Sequence, residues 1–582
     1  AAYSDAGTGA KQIRLLGLSG RYVQMMTENI PNFYGLASNY GLDYVPGPWM
    51  QSIAISKGTA SVVYGYEALT GQINTWYKEP THRSDNFFLN LFASSSGRTE
   101  LNTDATYKLS ERVRGMILVH TGNSWFEVDE DKDQFRDMPL LNRYFLFNRY
   151  NIDWNPNFET KLGVKLLYED RQGGQVKSIN NPYTISIGTR RAEAFLKSGY
   201  TFKGALHKSL AFLSSWSYHD QQGVYGFSTY DASQQSVYLN TIFTADLDED
   251  DVHSVQTGLS FKYDAYIEDL NNLDMSRKEI VPGAFAEYSF SPSSAFLIVG
   301  GARLDYHNMY GMFFVPRMHL RYKLASLTTL KASVGKGIRT PAVLAENAYL
   351  LASSRTMQIA PDILPEMSWN YGGNIMQQIP IGNRDMTIVL DFYRTSFVDQ
   401  VVVDLDDDLR KVSIYNLEGE SYSNVGQIEI QYPFIKGMDL TAAFRYNDVK
   451  QNIAGVLREV PFTSRYKGLI SASYKTALEK WQFDYTVQFN GGGRIPSTAA
   501  NPEQYRREDR FDPYIIMNAQ ITKFFKKWEM YAGVENLTNF VQKNPIIAAD
   551  NPNSEYFDAA MIWGPLHGRK FYLGMRYNIN KN

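Results

Sequence analysis

Trp481-Gln482-Phe483-Asp484-Tyr485-Thr486-Val487-Gln488-Phe489 decides the fold. Trp481, Phe483, Tyr485, Val487 and Phe489 fall on one face of an extended chain, and Gln482, Asp484, Thr486 and Gln488 on the other. This period of two belongs to a β-strand whose faces meet different environments. It recurs in Leu440, Ala442, Phe444 and Tyr446, in Trp528, Met530, Ala532 and Val534, and in Phe571, Leu573, Met575 and Tyr577. In a soluble sandwich the polar face looks at water, and in a membrane barrel it looks into a lumen; alternation alone leaves both open.

Connection lengths separate them, because outer-membrane barrels have short turns at one end and long loops at the other. Short turns are expected at Asn155-Pro156-Asn157, Ser291-Pro292-Ser293, Lys436-Gly437-Met438 and Lys526-Lys527, with long polar stretches at 123–137, 172–189, 266–279, 335–356, 451–466 and 491–512. From residue 81 to 582 there are 502 residues. Twenty-two strands of roughly 10 residues would take about 220 of them, and a lumen of that size must be plugged. The first 80 residues lack long alternation, carry short strands at Lys11 to Leu16 and Ser52 to Ser56, and form a candidate plug.

Composition agrees. The 40 Tyr, 33 Phe and 9 Trp suit two interfacial girdles. The longest apolar runs, such as Ala295 to Val299, are far short of the roughly 20 residues a transmembrane helix needs. A mean hydropathy of −0.35 does not argue against a barrel, since only every second residue must be apolar. The net charge of −3 gives no basic face for nucleic acid. Zero cysteines exclude disulfides and thiol chemistry, and the start on Ala1-Ala2-Tyr3 points to a processed or truncated N-terminus.

The stretch from Ile53 to Asn74, with Lys57-Gly58, Ser61, Tyr64-Gly65, Glu67-Ala68, Gly71 and Ile73-Asn74, resembles the plug signature of TonB-dependent receptors. Ile13 to Gly20, Val334 to Pro341, Leu364-Pro365-Glu366, Tyr415 to Gly419, Glu535 to Asn539 and Gly568 to Tyr572 are similar to later family segments, in order. Thr27-Glu28-Asn29-Ile30-Pro31 departs from the family's Asp-Gly, and the chain ends Asn580-Lys581-Asn582 rather than on an aromatic residue.

The resemblance implies an all-β membrane protein: a 22-stranded antiparallel transmembrane β-barrel (81–582) holding an N-terminal plug domain (1–80) in its lumen. It implies a Gram-negative outer membrane, active uptake powered by TonB-ExbB-ExbD, and as partners a small-molecule nutrient, outer-membrane lipid and, in some branches, a surface lipoprotein. Compactness and acidic loops make the chain similar to cobalamin receptors first; a ferric siderophore, haem or another metal chelate is the alternative, and a passive porin the rival of another class. H-E-x-x-H, G-x-S-x-G and P-loop patterns are absent, which disfavours an enzyme. No cofactor is expected beyond Ca²⁺ in extracellular loops; three acidic runs offer oxygens, Asp129-Glu130-Asp131 with Asp133, Asp246 with Asp248 to Asp251, and Asp404 with Asp406 to Asp408, of which Asp246, Asp248 and Asp250 are the chosen candidates, against the alternative of solvated acidic runs. The expected cargo contacts are Tyr34, Ser38, Asn39, Tyr40, Asp43 and Tyr44, as polar and aromatic groups at an aqueous apex; the competing reading has the tyrosines packing the plug against the wall.

Overall fold

The computed structural model describes residues 2–3, 5–80, 87–204 and 206–579. Among these, a closed ring of 24 strands begins at Phe87–Ser94 and ends at Lys570–Asn578, which pairs back onto the first. Two members, Leu273–Asp274 and Val456–Glu459, are short returns at loop tips, which leaves 22 antiparallel staves. Closure leaves no strand edge to hydrocarbon, where an unpaired N–H or C=O would cost several kcal/mol.

The alternation maps onto the two surfaces. In Trp481–Asn490 the side chains of Trp481, Phe483, Tyr485 and Phe489 are exposed on the outside, while Asn490 is buried in the lumen. In Leu140–Asn155, Tyr144 and Leu146 face out, and Arg143, Phe145, Phe147 and Arg149 are buried. The inward face thus presents both aromatic and charged side chains to the plug.

The staves are longer than the roughly 10 residues assumed from bilayer thickness. Ser228–Asp246 has 19 residues, and much of 172–189 and 266–279, read as loop, is strand. Toward these loops the apolar side chains are the buried ones, Ile185 and Ile187 among them, so the outward-apolar pattern ends while the ladder continues. The turns at Asn155-Pro156-Asn157, Lys436-Gly437 and Lys526-Lys527 connect neighbouring staves as expected. Ser291-Pro292-Ser293 still belongs to its strand, and the chain turns at Ser294-Ala295.

Inside the ring, residues 5–80 build a four-stranded sheet in the order Ile30–Pro31, Val23–Thr27, Gly71–Tyr77, Met50–Lys57. Val23–Thr27 and Gly71–Tyr77 are parallel, and Met50–Lys57 is antiparallel to the latter. The strand expected at Lys11 to Leu16 is two pieces, Lys11–Gln12 and Arg14–Leu15, and that at Ser52 to Ser56 lies within Met50–Lys57. The junction at 80/81 borders residues 81–86, which are outside the described residues. Met50–Lys57 is an edge, with Gln51 to Ser56 exposed beside a cavity of about 750 Å³ that reaches the wall at Asp391 and Tyr393.

The signature glycines are where the plug turns against itself or the wall. Gly71 (φ +153°) starts a strand where a Cβ would sit 2.2 Å from the Ser56 carbonyl. Gly58 (φ +82°) faces Tyr393 and Ser333 of the wall, with a Cβ 2.8 and 2.9 Å from them. Gly71→Ala is expected to cost the seated plug about 1–3 kcal/mol or more while the barrel still closes. Faster proteolysis of residues 5–80, with unchanged heat-modifiable gel mobility of the barrel, is the expected result; unchanged proteolysis would refute it.

Candidate binding site at the plug apex

The apex is the segment from Phe33 to Tyr44. Phe33, Leu36, Ala37, Tyr40 and Tyr44 are at most 4% exposed and join Trp49, Tyr77, Phe145 and Phe147 in one apolar cluster. Tyr44 meets Phe145 edge-on, and the Arg171 guanidinium lies 4.6 Å from the Tyr40 ring centroid. These two tyrosines pack the plug against the wall. Tyr34 donates from its hydroxyl to Asp264 at 3.2 Å, beneath Lys262 Nζ at 4.1 Å from its ring. Asn39 donates to the Ala345 carbonyl at 2.7 Å. Ser38 and Asn39 line a cavity of about 40 Å³, and Ser38 Oγ is buried without a partner. Asp43 is clamped by Arg171 (2.8 Å) and Arg143 (3.5 Å). Of the six candidates, Tyr34, Ser38 and Asn39 therefore stand next to free space.

A cover lies over this apex. After Arg339 the chain forms the helix Val343–Asn347 and the turn Ala348–Leu351, and the stretch 536–569 folds across them. Leu344, Ala345, Leu351, Ile546, Phe557 and Ile562 are buried in the same cluster as the apex. Arg355 Nε pairs with Asp558 at 2.8 Å, and the Ala6 N–H donates to the Ala559 carbonyl at 2.9 Å. The sequence reading missed this cover, although Ile546-Ile547-Ala548-Ala549 and Ala559-Ala560-Met561-Ile562 signal it: apolar runs without alternation inside a polar loop.

The signature residues prove to be anchors of the plug to the wall. Lys57 Nζ pairs with Asp391 at 2.8 Å, Ser61 Oγ donates to Glu287 at 2.9 Å, and Glu67 pairs with Lys262 at 2.8 Å. Arg317 of the wall donates to the carbonyls of Ala60, Ser61, Gly65 and Tyr66. Tyr64 packs against Val62, Val63 and wall residues, its carbonyl accepting from Gln24, and Asn74 exchanges hydrogen bonds with Asn29. Glu28 and Asn29 (φ 52° and 70°) form the two-residue turn between Val23–Thr27 and Ile30–Pro31, for which the family's Asp-Gly is the commoner solution. The exchange of Asp for Glu carries the carboxylate to Arg149 (2.5 Å) and Lys197 (3.1 Å). Arg21, Arg339, Glu346 and Glu366 form a further buried network, with Tyr22 donating to Glu366 at 2.9 Å.

The calcium expectation needs correction. Asp246, Asp248 and Asp250 lie in or beside the tight turn joining Ser228–Asp246 to His253–Leu270, at the same end as Asn155-Pro156-Asn157, and not in a long outer loop. Asp248 accepts the N–H groups of Val252 and His253 there. The carboxylates that converge are Asp129, Asp131 and Asp137 in the long loop after Val113–Ser124, with oxygens within 4.8 Å of one another. In that loop burial and neighbouring carboxylates raise Asp133 to about 7 and Asp137 to about 8.

The sequence pattern described as "TonB dependent receptor-like, beta-barrel" matches residues 75–537. An iron-regulated outer membrane virulence protein of Vibrio cholerae is 22% identical over 368 residues, 60% of this chain and 54% of that protein. The chain thus spans about half the length of the curated relatives it matches. Among solved structures, the copper transporter OprC superposes with a TM-score of 0.79 (13% identity, 100% and 93% of the two chains). The ferric enterobactin receptor of Pseudomonas aeruginosa gives 0.75 (14%, 99% and 94%), and the siderophore receptor PirA of the same organism 0.70 (12%, 99% and 95%).

Burial pushes the carboxyls of Glu28 and Asp43 up, but Arg149 and Lys197 for the first, and Arg143 and Arg171 for the second, outweigh it and hold both below the usual carboxylate range. Depressed folded-state values stabilise at pH above the unfolded value of about 4, and the contribution is lost as pH falls through the folded values. Calorimetry should show the plug transition flat from pH 8 to 5 and falling below pH 4. Arg149→Met should lower plug stability by about 1–3 kcal/mol at pH 7, because Glu28 keeps Lys197 as its one remaining ionic partner among the described residues. A transition that rises on acidification, or an unaffected variant, would contradict the assignment.

Proposed function

The chain belongs to the TonB-dependent receptors of the Gram-negative outer membrane, and on that premise we propose that it imports a ferric siderophore or similar metal chelate. The family consists of transport receptors rather than enzymes. The carrying observation is the filled lumen: residues 5–80 occupy it under an outer cover and are held to the wall by side-chain ion pairs and hydrogen bonds, which can be broken and remade. A passive porin would leave that space to water.

The cargo reading is supported by the iron-regulated Vibrio protein and by the siderophore and enterobactin receptors that share the fold. The first expectation, cobalamin, has no support among these relatives. In the proposed cycle the chelate enters as the helix Val343–Asn347 and the stretch 536–569 lift from the apex, and meets Tyr34, Ser38 and Asn39. Work delivered through TonB, ExbB and ExbD then breaks the anchors at Lys57, Ser61 and Glu67 and frees a path along the wall. Calcium, on this reading, binds at Asp129, Asp131 and Asp137, where a dication would offset three converging carboxylates.

The test is binding and uptake across a panel of ferric siderophores, haem, a copper salt and cobalamin, using detergent-purified protein and cells with and without TonB. An iron chelate bound tightly and imported only with TonB is the expected result. Tight binding of cobalamin alone would overturn the cargo reading, and large open-channel conductance in planar bilayers would overturn the gated receptor. Millimolar Ca²⁺ should slow proteolysis of the loop 125–139, and Asp137→Asn should abolish that protection.

A further inference from the structure

Most basic side chains on the lumen wall have an acidic partner. Arg143 and Arg171 hold Glu169, Arg149 and Lys197 hold Glu28, Lys262 holds Glu67, Arg303 holds Asp305, and Arg339 holds Glu366. One sector differs. Across five neighbouring staves, Gln427 faces Arg445, Arg445 faces Lys467, Lys467 faces Asn490 and Asn490 faces Tyr514 in a single cross-strand row. Phe444, Tyr446 and Phe489, which alternate with Arg445 and Asn490, are exposed on the outer face, so this row looks into the lumen. Arg14 of the plug reaches the same place and donates to Thr463, in the loop just before Lys467.

Among the described residues, no carboxylate comes within 4.0 Å of Arg14, Arg445 or Lys467, and Arg445 Nε is buried with no partner at all. The acidic groups nearby are engaged elsewhere: Asp391 by Lys57, and Glu429 by the amides of Gln427 and Gln431. Burial, together with the adjacent Arg445 guanidinium, disfavours the charged form of Arg14. Three cations gathered without a counter-charge cost stability, and polar groups left so are retained where a ligand completes them. Of the remaining groups of the row, Gln427 donates to Glu429 and Tyr514 to the Trp563 carbonyl, and the Asn490 amide adds a further donor.

We propose that Arg14, Arg445 and Lys467, flanked by Gln427, Asn490 and Tyr514, form an anion site on the lumen wall that takes the carboxylate or catecholate oxygens of a metal chelate. An Arg fork and a Lys point charge on adjacent strands sit about 5 Å apart at Cβ, the spacing at which both reach one oxyanion. The source of the anion rests on the receptor reading above; the anion site itself does not.

The test titrates the full chain in detergent with inorganic phosphate, followed by ³¹P NMR, and with an anionic iron(III) tris-catecholate and a neutral iron(III) trihydroxamate. In Arg445→Gln/Lys467→Gln, phosphate and catecholate affinity should fall at least about tenfold, with the trihydroxamate unchanged. The charge-keeping Arg445→Lys/Lys467→Arg should bind phosphate more tightly than the double Gln variant, though less tightly than wild type because the fork is displaced. If the double Gln variant does not form a heat-modifiable barrel, Lys467→Gln alone carries the comparison. Wild-type protein that binds no phosphate, or Gln variants that bind both anions as wild type does, would overturn the proposal. Phosphate binding lost in the Gln variants, with no chelate bound by wild type, would uphold the site and overturn the cargo reading instead.

Discussion

Hydrocarbon offers a peptide group no hydrogen bond, and the rest of this structure depends on that constraint. It forces the sheet to close, as Lys570–Asn578 does on Phe87–Ser94. Closure with 22 staves leaves a lumen too wide for side chains to fill. The second layer of the molecule is then not a separate domain packed alongside but a sheet held within, and its contacts are made with the inward half of the staves around it.

That inward half has to serve two ends. Around Tyr44, Trp49 and Tyr77 it supplies Phe145 and Phe147, a dry apolar contact. Elsewhere it supplies ions: Asp391 for Lys57, Lys262 for Glu67, Arg149 for Glu28. A buried ion pair adds little net stability against an apolar alternative, yet breaking one without replacement costs several kcal/mol. Such an interface holds its register firmly and still comes apart once water enters, which suits the displaceable plug of the proposed cycle.

Much of this was legible in the residues. Alternation in Trp481 to Phe489, the short turns at Asn155-Pro156-Asn157 and Lys436-Gly437, and the glycines of Ile53 to Asn74 each carry a local physical reason for their conformation. The length of the staves was not legible, because the pattern that reveals a strand is imposed by lipid and ends where lipid ends. Of the apex, Tyr40 and Tyr44 stand out in the sequence but their partners do not: pairing Asp43 with Arg143 and Arg171, or Tyr34 with Asp264, depends on registers 100 or more residues away in sequence. The placement of Asp246, Asp248 and Asp250 was not legible, because a dense acidic run looks the same at either end of the barrel and only stave topology tells which end it occupies.

Among the described residues, the strand Met50–Lys57 has a neighbour on one side alone. Its ladder to Gly71–Tyr77 can therefore be opened in two mechanically different ways. A pull across the strand loads one hydrogen bond at a time, like a zip, and needs little force at any moment. A pull along it loads all of them together, in shear. Since Gln51 to Ser56 stand free on the other side, the low-force route is the one left unobstructed. The cavity of about 750 Å³ beside that strand gives the peeled segment somewhere to go. Direction of load, rather than strength of bonding, then sets how readily this sheet yields.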